Sequence, residues 1–201
     1  MSADNPLVTV ITPTIRPEML ERCQAMFMAQ DYPNKEMVVI PGPGTVGEKR
    51  NRGCEAAKGE IIVHFDDDDY YAPDYISKSV AFLLKNDINI TGYSTAYFCD
   101  EANKRAWLWK YADPANAMPY VCEASLVYRK SVWEKKKFKD ISQGEGIYFL
   151  AHLPKIKAHN TPNLFIAGIH SGNTASQNQI KTMQPVSVEV VLNILNLYHG
   201  G

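Results

Sequence analysis

Four consecutive aspartates, Asp66 to Asp69, directly follow the apolar run at residues 61–65. That run is short, β-branched and aromatic, and it lies between Gly59 and Pro73, which predicts a buried strand. Four adjacent carboxylates repel one another and are costly to bury, and a divalent cation such as Mg²⁺ or Mn²⁺ relieves the repulsion. Because ligands bind at the carboxyl ends of strands in open α/β sheets, the run predicts a metal-dependent site for an anionic ligand such as a diphosphate. The alternative is a solvated acidic turn.

The bulk composition is that of an ordinary globular protein. With 201 residues, the sequence predicts a single domain over residues 1–201. A formal net charge of −1 gives no global field for capturing nucleic acid. We find no transmembrane segment and no signal peptide, and the four cysteines are far apart, so we expect a cytoplasmic protein with reduced thiols.

Strand and helix patterns alternate in the first half of the chain, which predicts βαβ units and a parallel sheet. The second half differs, because its predicted strands have no long helices between them. A C-terminal helix is predicted at residues 185–198, where it caps the domain or contacts a partner such as a second copy in a homodimer. The predicted strands are residues 7–12, 36–40, 61–65, 88–98, 104–111, 123–128 and 164–169, and the predicted helices begin at Pro17 or cover residues 45–58, 74–85, 131–136 and 145–152.

Several short pieces of sequence occur in a fixed order along the chain. They are Pro13-Thr14, Arg50-Asn51-Arg52-Gly53, Ala57-Lys58-Gly59-Glu60, the run from Asp66 to Pro73, the run from Ser125 to Arg129, Gly144-Glu145, and His170 with Asn173-Thr174. The ordered set resembles family 2 glycosyltransferases of the GT-A fold over residues 8–174.

The resemblance implies an α/β protein with a Rossmann-like, mostly parallel central sheet flanked by helices and a smaller mixed sheet on the acceptor side. Residues 1–100 would form the nucleotide-sugar-binding half, and residues 101–180 the acceptor and catalytic half. The implied activity is that of a metal-dependent, inverting hexosyltransferase. It would move a sugar from a nucleotide-sugar, typically a UDP-sugar, to a hydroxyl of a glycan or glycolipid precursor.

The resemblance also implies the site residues. The D-x-D positions map to Asp66 and Asp68, and His170 is implied as a further ligand of Mn²⁺ or Mg²⁺. Such an ion would stabilise the charge on the departing diphosphate. The bland alternatives are a structural histidine at 170 and a solvated helix face at Arg50. The implied donor-binding residues are Pro13, Thr14, Arg16, Arg50, Asp66 and Asp67.

Two positions depart from the family pattern. Family members often carry an acidic pair after the second strand that reads the uracil edge, and this chain has Pro41-Gly42-Pro43-Gly44 there. The family's Glu-Asp pair supplies the general base, and this chain has Glu145-Gly146. We predict that Glu145 is the base; the alternatives are a helix N-terminal carboxylate, a weakly active enzyme or an inactive copy.

The acceptor side is predicted from aromatic residues, since flat rings stack on sugars or bases. The candidates are Trp107, Trp109 and Tyr120, with core packing as the alternative. Other functions stay open on the sequence: modification of hydroxylated bases in phage-type DNA, nucleotide-sugar binding without turnover, and nucleotidyl transfer, of which Lys49 after Gly47 is a faint sign.

Overall fold

The computed structural model describes residues 5–110, 121–160, 162–170, 173 and 180–199. The first half alternates strands and helices as the apolar periodicity predicts. Its elements are β1 (Val8–Pro13), α1 (Pro17–Met28), β2 (Lys35–Ile40), α2 (Val46–Ala56), β3 (Ile61–His64), β4 (Tyr70–Tyr71) and α3 (Tyr75–Lys85).

The second half is built mainly from short strands. They are β5 (Ile90–Tyr93), β6 (Thr95–Asp100), β7 (Arg105–Lys110), β8 (Val127–Arg129), β9 (Ile156–His159), β10 (Phe165–Gly168) and β11 (Gln184–Val186). Its helices are α4 (Lys130–Lys135), α5 (Glu145–Leu150) and α6 (Val188–His199), with single 3₁₀ turns at Glu123–Ser125 and Pro162–Leu164.

The strands form two sheets. The central sheet has six strands in the order β2-β1-β3-β8-β5-β9. Three of its neighbouring pairs are parallel, and β8 runs antiparallel to both β3 and β5. The second sheet has five strands in the order β11-β7-β6-β10-β4 and is mixed, since only β10 and β6 are parallel. The predicted fold class, a mostly parallel central sheet with a smaller mixed sheet, is confirmed.

Several predicted elements need correction. The single strand predicted at residues 88–98 is two strands, β5 and β6, which belong to different sheets and are separated at Ser94. The strand predicted at residues 123–128 starts as a 3₁₀ turn, and the strand itself begins only at Val127. The strands β4, β9 and β11 were not predicted, because runs of two to four residues carry almost no periodicity.

An aromatic cluster packs where the two sheets meet. The rings of Phe65 and Tyr71 stack at 3.8 Å between centroids, and Phe165 of β10 packs against Tyr71 at 5.4 Å. All three belong to the larger apolar core, which contains residues from both sheets. Helix α6 packs on β6 and β7 through a buried stripe that includes Val191. Within the described part of the chain, no helix has both the length and the apolar character needed to cross a membrane.

Candidate donor and metal site

The four aspartates divide into two that face the interior and two that face the site. Asp67 and Asp69 are buried, whereas the side chains of Asp66 and Asp68 keep 27% and 11% of their surface exposed. The division follows from the turn after β3, in which the backbone N–H of Asp66 donates to the Tyr71 hydroxyl at 2.8 Å. The first and third carboxylates are therefore the ones available to a ligand, as the D-x-D spacing requires.

The interior carboxylate of Asp67 holds the loop after β1. The Thr14 hydroxyl donates to Asp67, and the Arg16 guanidinium forms an ion pair with the same carboxylate. Arg16 also reaches Asp68, with 3.0 Å between Nη2 and Oδ2, and its Nη1 lies 2.7 Å from Nε2 of His170. The predicted donor residues Thr14, Arg16 and Asp67 are thus brought together.

The end of β10 is fastened to the acidic turn. The backbone N–H of Gly168 donates to the buried carboxylate of Asp69 at 2.9 Å. Nε2 of His170 lies 2.9 Å from Oδ2 of Asp68, and the Asn173 amide donates to the same oxygen at 3.1 Å. A Cβ on residue 168 would lie only 2.2 Å from the carbonyl oxygen of Asp68, so the close approach requires glycine.

Arg50 links Asp66 to Glu145. Its side chain is only 2% exposed, and its guanidinium lies 3.2 Å from Asp66 and forms an ion pair with Glu145. Burial opposes the charged form, but the two carboxylates outweigh it and raise the pKa of Arg50. Burial also raises the pKa of Asp66, and the charges of Asp68 and Glu145 add to that effect while Arg50 opposes it. Arg50 is therefore the counter-ion of the first D-x-D carboxylate.

Glu145, the predicted base, is 3% exposed and engaged by Arg50. A second glutamate, Glu123, lies beside it and accepts the backbone N–H of Ile147 at 3.0 Å. Burial, together with the charge of Glu145, raises the pKa of Glu123 to about 7. Sequence reasoning missed Glu123 because it lies within a predicted strand and belongs to no recognisable motif.

Sequence reasoning also missed two supporting residues, Asp69 and Asn173. Both lie within motifs of the sequence. However, Asp69 bonds to Gly168 of β10 and Asn173 bonds to Asp68, and each pair is separated by about 100 residues in the chain. Lys49, the faint sign of nucleotidyl transfer, is buried and donates to the carbonyl of Thr14 at 3.2 Å.

The fit of the site to a divalent cation rests on Asp66, Asp68 and His170. Carboxylate oxygens and an imidazole nitrogen are donors that suit Mn²⁺, and those of Asp68 and His170 are already in contact. Among the described residues, no three His, Cys, Asp or Glu side chains surround one point. Arg16 contacts two of the three candidate ligands, Asp68 and His170, and Asp66 faces Arg50.

The predicted acceptor residues have different surroundings. Trp107 is buried in the core, and the Arg105 guanidinium lies over its ring at 5.4 Å. Trp109 is half-buried and lines a cavity of about 310 Å³ between β7 and β11. Tyr120 lies outside the described residues. Trp109 is therefore more accessible than Trp107.

Comparison with known proteins identifies the family. The sequence profile described as "Glycosyl transferase family 2" matches residues 44–149, more than half of the chain. The chain belongs to glycosyl transferase family 2. The matched segment contains α2, the four aspartates, Glu123 and Glu145. The predicted family and enzyme class are thereby confirmed.

The chain is also similar to individual proteins. It is 30% identical over 114 residues to an uncharacterized glycosyltransferase of Haemophilus influenzae, a match covering 54% of this chain and 45% of that relative. It resembles S. aureus TarS 1-349 in complex with UDP-GlcNAc, with a TM-score of 0.62, 15% identity and 85% of this chain covered. It resembles the mannosyltransferase PcManGT from Pyrobaculum calidifontis in complex with GDP-Man and Mn²⁺, with a TM-score of 0.57, 17% identity and 84% covered. The chain spans 61% and 59% of these two solved chains, whose likeness shows the GT-A fold.

Proposed function

We propose that this chain is a metal-dependent, inverting glycosyltransferase that moves a sugar from a nucleotide-sugar, preferably a UDP-sugar, to a hydroxyl of a glycan or glycolipid precursor. The observation that carries the proposal is the contact between Asp68 and His170, which joins the acidic turn after β3 to the end of β10. Family 2 membership supports the reaction class, and the TarS and PcManGT complexes support a nucleotide-sugar donor.

In this proposal Asp66, Asp68 and His170 hold Mn²⁺ or Mg²⁺. The ion would neutralise negative charge on the departing nucleoside diphosphate. The Arg16 guanidinium, which lies beside Asp68 and His170, would be a partner for a diphosphate oxygen. Arg50 opposes the rise in the pKa of Asp66 and orients its carboxylate.

The loop after β1 would contact the base or ribose through Pro13 and Thr14. The loop at residues 41–44 offers backbone groups in place of the acidic pair that reads uracil in many family members. A donor screen therefore includes GDP-mannose beside the UDP-sugars. The role of Glu145 as base stays a prediction, and its ion pair with Arg50 favours a positioning role.

A thermal-shift screen tests the donor and the metal together. UDP-GlcNAc, UDP-glucose and GDP-mannose would be added with and without Mn²⁺, because a ligand that binds only the native state must raise the melting temperature. We expect a donor-dependent rise that requires Mn²⁺. A rise without consumption of the donor in the presence of hydroxyl acceptors would favour the non-catalytic alternative.

Asp68→Ala is the matched variant for that screen. It removes the carboxylate shared by His170, Asn173 and Arg16, so we expect the Mn²⁺-dependent affinity for UDP to fall at least tenfold by calorimetry. Asp31→Ala is the control, because the exposed side chain of Asp31 accepts a hydrogen bond from Ser77 and lies outside the proposed site. Equal UDP affinity of Asp68→Ala and the parent protein in Mn²⁺ would refute the metal site.

A further inference from the structure

The side chain of Glu123 occupies the space beside Gly146. Its carboxylate accepts the backbone N–H groups of Gly146 and Ile147 at the start of α5. A Cβ on residue 146 would lie 2.5 Å from Cγ of Glu123 and 2.7 Å from its Cδ. Both distances are far shorter than van der Waals contact, so the side chain of Glu123 fills the volume into which any side chain at 146 would project.

The two neighbouring glutamates differ in their access to a ligand. Glu145 is 3% exposed, and its carboxylate is taken up by the ion pair with Arg50. Glu123 is partly exposed, and its carboxylate accepts backbone N–H groups. A general base must come within hydrogen-bond distance of the hydroxyl that it deprotonates. Glu123 can do so without breaking an ion pair, whereas Glu145 cannot.

The turn that carries Glu123 is fixed to the acidic end of β3. The Tyr71 hydroxyl donates to the carbonyl of Ala124 at 3.0 Å and accepts the backbone N–H of Asp66 at 2.8 Å. On the other side, the carbonyl oxygen of Glu123 lies 3.0 Å from Nδ1 of His64. One tyrosine hydroxyl therefore joins the Glu123 turn to the first D-x-D residue, which keeps the glutamate next to the donor site.

We propose that Glu123 is the general base of the transfer reaction and takes up the proton of the acceptor hydroxyl. This inference rests on the proposed function. The acceptor oxygen forms a bond to the anomeric carbon, and the bond from that carbon to the diphosphate oxygen breaks, leaving its electron pair on the nucleoside diphosphate. The hydroxyl proton passes to a carboxylate oxygen of Glu123 and then to solvent.

The charges around Glu123 suit this role. Burial raises its pKa to about 7, helped by the Glu145 carboxylate on α5 and opposed by the Arg50 guanidinium on α2 and by the two backbone N–H groups. From β3, the ring of His64 contacts this turn through the carbonyl of Glu123. A base with a pKa near the working pH is both ionised and sufficiently basic. Because the base must be deprotonated, turnover should rise with pH through about 7 and then level off.

Glu123→Gln tests the inference with a nearly isosteric side chain. The probe is release of UDP from UDP-GlcNAc with Mn²⁺, or of the nucleotide from whichever donor the screen selects, with water as the acceptor hydroxyl. We expect kcat to fall about 10²- to 10⁴-fold, donor affinity to stay within about threefold, and the rise of kcat with pH to disappear. Glu145→Gln, measured alongside, should retain the rise with pH.

A double variant that moves the carboxylate from position 123 to position 146 tests the inference by recovery of activity. Glu123→Gly with Gly146→Asp moves the carboxylate from one residue to the other within the same volume. We expect the exchange to recover at least tenfold of the activity lost in Glu123→Gln, while Gly146→Asp alone clashes with Glu123 and melts at a lower temperature. A folded, donor-binding exchange variant that stays as slow as Glu123→Gln would overturn the assignment of the base to this volume.

The outcomes separate the inference from the proposed function. If the parent protein neither binds nor consumes any nucleotide-sugar, the proposed function fails, and the base assignment fails with it. If the parent turns over and Glu123→Gln matches its rate and pH profile, only the inference fails. If Glu145→Gln alone abolishes the rise with pH, the base is Glu145.

Discussion

Arg50 is the residue on which the electrostatics of the site depend most directly. It neutralises Asp66 and Glu145 from a position that is almost completely buried, and both carboxylates raise its pKa. A buried charge without a partner is far more costly than the gain from the pair itself. Removing Arg50 leaves the carboxylates of Asp66 and Glu145 without a counter-ion. An exposed arginine in a surface ion pair, by contrast, contributes little to the free energy of unfolding.

Arg50→Met should therefore lower the free energy of unfolding by about 3–5 kcal/mol, measured by urea denaturation at pH 7. The matched control is Arg52→Met on the same helix. Arg52 is 47% exposed and lies 3.9 Å from Glu48, so its loss should cost less than about 1 kcal/mol. Equal costs for the two variants would show that the Arg50 ion pairs contribute nothing net to stability.

At the level of elements, β10 connects the two parts of the site. Its parallel partner is β6 and its antiparallel partner is β4, the short strand that directly follows the four aspartates. The pairing with β4 brings the end of β10 back onto the turn from which β4 starts. Gly168 permits the last step of that approach, because its missing side chain leaves room for the carbonyl of Asp68.

Gly168→Ala should push the end of β10 away from Asp68 and carry His170 with it. We expect the melting temperature to fall by several degrees and the affinity for Mn²⁺, measured by calorimetry, to fall at least tenfold. The metal measurement is decisive, because a purely structural glycine would change the melting temperature alone. Unchanged Mn²⁺ affinity would show that the position of the end of β10 does not affect metal binding.

At the level of the whole molecule, the two sheets share one apolar core. The rings of Phe65, Tyr71 and Phe165 pack across the boundary between them, and Phe165 is fully buried. If either sheet unfolded, the apolar side chains of the other sheet at this contact would become exposed to water. We therefore expect the sheets to unfold together, which is the behaviour of a single cooperative unit.

Phe165→Ala should cost about 3–5 kcal/mol, as truncation of a buried aromatic ring does. Far-UV circular dichroism and tryptophan fluorescence should give coincident urea transitions in both the parent and the variant. Tyr148→Ala is the control, since Tyr148 is 48% exposed and its truncation should change stability by less than about 1 kcal/mol. Two separate transitions in the parent would mean that the sheets are independent units.

The amino-acid sequence alone predicted the family, the alternating strands and helices of the first half, and the candidate site residues. Apolar runs with a period of two or 3.6 residues set the strands and helices of the first half. The order of the motifs pointed to the family and to Asp66, Asp68, Arg50 and His170. Because these signals depend on residues that are close together in the sequence, they can be recognised without knowledge of the fold.

Only the tertiary structure decided which side chains of the site contact one another. Arg50 and Glu145 are 95 residues apart in sequence, and Asp68 and His170 are 102 apart. Glu123 belongs to no motif, and its importance appears only because the missing side chain of Gly146 leaves a volume that it fills. Such contacts depend on how distant segments pack, and the free energy of packing is not encoded in any single stretch of sequence.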